Sequence, residues 1–188
     1  GTELGVTIAG DPFPHLLFEF VLSYSHWTWV ALAFGETFEA LAAGVQGALW
    51  ALGGVPEILR SDNLSAATHE LKASSGRDLT PRFRAVLDHY GLRSSRITPG
   101  KAHENGVAEQ AHRRLKSLVA QALLVRGHAD FSDIAAYDAF VQEVVAYWRN
   151  RPAAARLAEE RPALRALPSV AIPSYTTYHP VVRRWSTI

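Results

Sequence analysis

Asp62 and Glu109 are the two side chains whose surroundings best suit them to chemistry. Asp62 follows Pro56-Glu57-Ile58-Leu59-Arg60-Ser61, a short run that reads as a strand ending in an acid, with Asn63 next. In open α/β sheets functional groups gather at the C-terminal ends of strands, where the loops leave room for a ligand. An Asp-Asn pair there also serves as a turn or a helix cap, and the residues alone leave both uses open. Glu109 falls on a long helical pattern, about 200° around the axis from Val107 and so off the apolar stripe. Asn105, His112, Arg113 and Lys116 share its face, at i−4, i+3, i+4 and i+7. One reading is a solvated face with a Glu109–Arg113 ion pair. The other is a carboxylate beside phosphate-binding bases. Mg2+ is bound in that way, by a few hard oxygens with a substrate phosphate completing its shell.

The elements that carry these residues follow from periodicity. His15–Ser25 and Trp27–Phe34 are rich in aromatic and β-branched residues and read as two antiparallel strands. Thr2–Ala9 reads as a preceding strand, joined to them by the turn Gly10-Asp11-Pro12-Phe13-Pro14. Phe38, Leu41, Ala42, Val45, Leu49 and Leu52 then recur at helical spacing until Gly53-Gly54. Thr80-Pro81 opens a helix that Gly91 closes, and Leu92–Thr98 reads as a further short strand. The longest helix runs from about Asn105 to Val125, with a stripe of Val107, Ala111, Leu115, Leu118, Ala122 and Val125. Another, capped at Ser132, buries Ile134, Tyr137, Val141, Val144 and Trp148 and runs out at Asn150-Arg151-Pro152. Trp27, Trp29 and Trp50 read as core. A strand pair, a helix and further strands make α/β the natural class.

The 188 residues suit one domain, residues 1–152, followed by a helical piece and connector over 153–188 that leads toward a further C-terminal domain. Absence of cysteine excludes disulfides and thiol chemistry, and the eight His show no zinc-ligand spacing. The uncharged stretches Phe20–Gly35 and Ala40–Pro56 are too short for membrane spans. A start at Gly1 and no methionine suggest a piece of a longer protein. The net charge of +1 conceals an uneven distribution: every Lys and Arg lies at or after Arg60. A basic half suits a polyanion partner, and solvated helices behind a buried sheet produce the same split. Arg183-Arg184-Trp185 is a further candidate for nucleic-acid contact through charge and stacking.

Several of these residues fall into a known pattern. Arg60-Ser61-Asp62-Asn63 and the run from Gly106 through Glu109, His112 and Arg113 to Lys116 resemble the second and third acidic motifs of retroviral-type integrase cores. The third motif of that family is a Gly-x-x-Glu on a helix, with a polar residue three positions on and Lys seven on; here these are His112 and Lys116. Tyr147-Trp148-Arg149-Asn150-Arg151-Pro152, then Leu157 and Arg161-Pro162, resembles the segment that follows the core in bacterial transposases. Leu22–Trp27 resembles the hairpin between core strands, and Gly53-Gly54-Val55-Pro56 the approach to the second acid. The combination is similar to IstA-type transposases of bacterial insertion sequences, over roughly residues 15–165.

The resemblance implies an RNase H-like mixed sheet of about five strands flanked by helices. It implies two Mg2+ (or Mn2+) ions held by three carboxylates, of which Asp62 and Glu109 are two, with Asn105, Arg113 and Lys116 positioning the DNA backbone. The implied activity is DNA cleavage followed by strand transfer, a DDE transposase reaction in the bacterial cytoplasm at the nucleoid. The implied partners are element ends and target DNA, further copies of the chain and a partner ATPase, with no membrane. Two departures stand out. The spacing between Asp62 and Glu109 exceeds that of compact retroviral cores, which fits an insertion at the polar loop and the Thr80–Gly91 helix. The first catalytic Asp has no counterpart: Glu3 and Asp11 are the upstream acids, and Asp11 lies in a Gly-Asp-Pro turn. That Asp is therefore expected upstream of Gly1, leaving the 188 residues inactive by themselves. The alternatives are a non-catalytic DNA-binding or assembly module of the same fold and a nuclease that cuts without joining.

Overall fold

The computed structural model describes residues 4–60, 80–95 and 102–173, with the backbone alone at Ser95 and over 102–109. Asp62 and Arg183-Arg184-Trp185 therefore lie outside the described residues. The architecture is mixed α/β. In chain order it comprises β1 (Thr7–Ile8), β2 (Asp11–Pro12), β3 (Leu16–Val21), β4 (Thr28–Ala33), α1 (Phe38–Leu52), β5 (Ile58–Arg60), α2 (Pro81–Tyr90), β6 (Arg93–Ser95), α3 (Ala102–Arg126), β7 (Asp130–Phe131), α4 (Ile134–Val145) and α5 (Arg151–Glu160). Among the described residues the strands pair as three small sheets, β2-β1-β7, β3-β4 and β5-β6.

The β3–β4 hairpin is the centre of three layers. Phe18, Phe20 and Trp29 face α1 and join a core with Val45, Leu49, Leu52, Phe83 and Leu157. Leu17 and Val30 face the other way, into a core with Leu115, Val119, Tyr137 and Val141. Burial on both faces explains why these strands read as near-continuous apolar runs and not as an alternation. Close approach of α1 to the hairpin rests on two glycines: a Cβ on Gly47 would stand 2.5 Å from the Trp29 ring, and one on Gly44 2.7 Å from Phe18. Gly47→Ala is therefore expected to destabilise by about 1–3 kcal/mol through overpacking. Helix propensity alone would favour Ala by about 1 kcal/mol. Urea unfolding reads the sign directly.

Local signals set the helix ends. The Thr37 hydroxyl accepts the Ala40 N–H at 3.2 Å and Gly53, at φ 77°, closes α1. Thr80 caps α2, Pro81 occupies its first turn and Gly91 closes it at φ 62°. Other expectations need correction. The strand expected over Thr2–Ala9 is, within the described residues, only Thr7–Ile8, and Asp11 is not merely a turn residue, because it pairs with Ile8 across the Ala9-Gly10 hairpin. The N-cap of α4 is Asp133, which accepts the Ala136 N–H at 2.8 Å, while Ser132 donates to the Asp133 carboxylate. Ile134 and Trp148 are exposed, and Val145 is buried instead. Trp50 is also partly open to solvent, at 41% exposure, its indole donating to the Tyr90 hydroxyl. On α3 the buried residues among those described are Leu115, Val119 and Leu123, whereas Val125 is 90% exposed, and Val107 lies outside the described side chains. Steps of three and four fit both stripes, and the partner surface selects one.

Pro152 does not stop the helix it was expected to end. A π-helical turn over Ala146–Asn150 precedes α5, and Pro152 sits in the first turn of α5, where no amide is needed. Beyond α5, the extended stretch is tied to the body: Val55 and Arg165 exchange backbone hydrogen bonds at 2.9 Å, and Leu164, Leu167 and Ile172 pack on the α1 core.

Candidate active site

The cavity that matters most is an elongated one of about 1220 Å³, running along β3 and bounded on the far side by β5. α1 closes one face through Leu41 and Val45, and α3 closes the other through His112 and Lys116. Arg60, the last residue of β5, and His112 and Arg113 of α3 line the same space. Arg60 stands two positions before Asp62; His112 and Arg113 stand three and four after Glu109. The flanks of both acidic motifs thus converge on one cavity, although 46 residues separate Asp62 from Glu109. The backbones of Asn105 and Glu109 belong to α3, and their side chains lie outside the described residues. Lys116 is half-buried in the cavity wall, and Arg113 is exposed.

Glu19 was not among the expected site residues. It sits on β3 with a side chain only 6% exposed, 3.6 Å from His112 Nδ1 and 3.8 Å from Arg149 Nη2. Its Oε1 is buried and accepts no hydrogen bond among the described residues. The signal was present: an acid in the middle of an apolar strand must have a positive or donor partner. On the outer edge of β4, by contrast, side chains meet the main chain at Thr28 and Val30. Thr28 donates to Asn150 Oδ1 at 2.8 Å and accepts from Asn150 Nδ2 at 2.9 Å, and Gln142 Nε2 donates to the Val30 carbonyl at 2.8 Å. Asn150 therefore secures the hairpin from outside.

Glu19 lines the cavity together with the cationic side chains Arg113 and Lys116, and its carboxylate lies beside His112 and Arg149. The cationic members of that lining suit a phosphate. Among the described residues alone, no group of three or more His, Cys, Asp or Glu is placed to hold a metal, and no helix is long and apolar enough to cross a membrane.

The class these observations define is a mixed α/β chain with a cavity between β3 and β5 lined by cationic (Arg60, Arg113, Lys116) and acidic (Glu19, Glu36, Glu160) side chains alike. No family model matches it. A curated relative, the uncharacterized protein y4jA/y4nE/y4sE of Sinorhizobium fredii (strain NBRC 101917 / NGR234), is 46% identical over 167 residues. That match takes in 88% of this chain and 33% of the relative, so the chain spans about a third of the length of the curated protein it matches.

Proposed function

We propose that the chain is part of the catalytic core of a DDE transposase of the IstA type, with an RNase H-like sheet, acting in DNA cleavage and strand transfer. The observation that carries this reading is the convergence of Arg60 with His112 and Arg113 on one cavity. It draws the neighbours of Asp62 and Glu109 together, as a shared cation site requires.

In this reading Asp62 and Glu109 would hold two Mg2+ or Mn2+ ions. Bound there, the ions would supply Lewis-acid activation of the attacking and leaving oxygens of a phosphodiester. Lys116 and Arg113 grip the phosphates on either side of the scissile bond, and Asn105 orients the strand from the N-terminal part of α3. Burial of Lys116 in the wall limits the solvent screening of its charge. Such contacts give affinity with little sequence choice. Recognition of element ends, further copies of the chain and an ATPase partner belong to the whole protein.

Arg113→Ala and Lys116→Ala are each expected to weaken binding to unrelated duplexes alike and to lower the slope of log affinity against log salt by about 1. Fluorescence anisotropy over a salt series measures this. The activity test is incubation of labelled element-end duplex with the longer protein and Mg2+. Nicking followed by joined product supports the transposase. Nicking without joining supports the plain nuclease, and binding without either supports the assembly module.

A further inference from the structure

Among the described side chains, the apolar anchorage of α3 begins at Leu115. Leu115, Val119 and Leu123 are buried there and pack with Leu17, Val30, Tyr137 and Val141. Glu109 lies six positions before Leu115, about 9 Å further along the helix axis. A group that does chemistry has to be held to within about 0.5 Å by the shell around it. What meets the turn between Glu109 and Leu115 is polar.

Glu19 alternates along β3 with Phe18 and Phe20, which face α1, and so shares the face of Leu17, which packs on α3. Its carboxylate, on a side chain only 6% exposed, lies 3.6 Å from His112 Nδ1 and 3.8 Å from Arg149 Nη2. Arg149 comes from the π-helical turn after α4, and the same Nη2 donates to the Ala111 carbonyl of α3 at 3.4 Å. The planar guanidinium carries several donors and can serve a carboxylate and a carbonyl together. One carboxylate on the central hairpin is thereby tied to two consecutive residues of α3, to His112 directly and to Ala111 through Arg149. Two ties about 100° apart around the axis fix rotation as well as depth. Glu109 stands three residues before His112, about 4.5 Å along the axis and about 60° from it around the helix.

An apolar side chain at position 19 would fill the same space, and buried ion pairs often stabilise no more than apolar replacements of similar volume. A charge cluster adds direction. It is satisfied only while His112 and Arg149 stand close to Glu19, so any other depth or rotation of α3 leaves a carboxylate buried without its counter-charge.

We propose that Glu19 is a positioning residue: acting through His112 and Arg149, it sets the depth and rotation of the α3 turn that carries Glu109. The tie stands on the contacts above. Its consequence for cleavage rests on the transposase reading, and the two are tested separately.

Amide hydrogen exchange on the 188-residue chain, without DNA or metal, tests the tie. Glu19→Gln is expected to speed exchange about tenfold at residues 109–113 and to leave residues 119–123 unchanged. Unchanged rates at 109–113 would overturn the proposal, as would amides already unprotected there in the unsubstituted chain. An equal increase at 119–123 would also overturn it, because it marks general loosening. Glu19→Gln leaves Arg149 without its counter-charge, so Glu19→Met combined with Arg149→Met repeats the measurement with both charges removed at similar length. This variant is expected to keep nearly the same Tm and to show the same local acceleration; its absence would contradict the proposal.

Cleavage by the longer protein tests the consequence. Glu19→Gln is expected to lower kcat about tenfold with KM for element-end duplex unchanged, and to add nothing once Glu109→Gln is present. A further tenfold loss on the Glu109→Gln background would show that Glu19 does not act through Glu109 and would overturn the proposal. If the unsubstituted longer protein cleaves no DNA, the transposase reading fails, and the exchange result still decides whether Glu19 holds α3.

Discussion

Replacing Glu109 by Gln in the longer protein is expected to lower Mg2+-dependent cleavage of element-end DNA by about 10³-fold or more, while DNA affinity changes little. The amide keeps the size and position of the side chain on α3 but loses the negative charge that binds a hard cation. Groups acting as a unit lose function together, so Asp62→Asn should give a similar loss, and the double variant little more than either alone. Additive losses would show that the two acids act separately. Quenched single-turnover cleavage with 5′-labelled duplex separates these outcomes from product release. A binding titration alongside confirms that the Arg113 and Lys116 contacts persist.

The second large effect concerns stability. Tyr137→Ala is expected to cost about 3–5 kcal/mol, a fall of roughly 2–4 °C in Tm for each kcal/mol in a chain of this size. Tyr137 is fully buried and packs against Phe13, His15 and Phe131, with ring centroids 6.2, 4.9 and 5.0 Å away. It also joins a short relay. The Phe13 carbonyl can only accept, so His15 Nδ1 donates to it at 2.8 Å, and Nε2 of the same ring is hydrogen-bonded to the Tyr137 hydroxyl, also at 2.8 Å. Burial pushes the phenol pKa up, with Asp138 adding to the effect, so the hydroxyl stays protonated and donating across the neutral range. Tyr137→Phe keeps the ring and loses only this bond, and should cost about 1 kcal/mol. Thermal and urea unfolding of the two variants apportions packing and hydrogen bonding.

Elements whose ends are written in local chemistry were legible in the sequence. α2 begins at Thr80-Pro81 and ends at Gly91 because the cap, the first-turn proline and the left-handed glycine act within a few residues of one another. α1 ends at Gly53 for the same reason. What depends on distant partners was not legible. β7 and its pairing of Thr7 with Asp130 draw on residues far apart in the chain. The stripe on α3 was misplaced at Val125, since two stripes satisfy helical spacing and only the packing of Leu115, Val119 and Leu123 against α4 and the hairpin distinguishes them. Of the candidate site, Arg113 and Lys116 could be named from spacing, and they line the cavity. Glu19 was passed over, although an acid in the middle of an apolar strand signals a buried partner; the fold identifies that partner as His112 and Arg149.

The account rests on Asp62 and Glu109 sharing a bound cation, and Mn2+ titration followed by electron paramagnetic resonance tests this most directly. The longer protein should immobilise Mn2+ at a site that Asp62→Asn and Glu109→Gln each weaken strongly, with the double variant no weaker than the poorer single one. Undiminished Mn2+ binding in either single variant, or independent losses that add in the double variant, would contradict it.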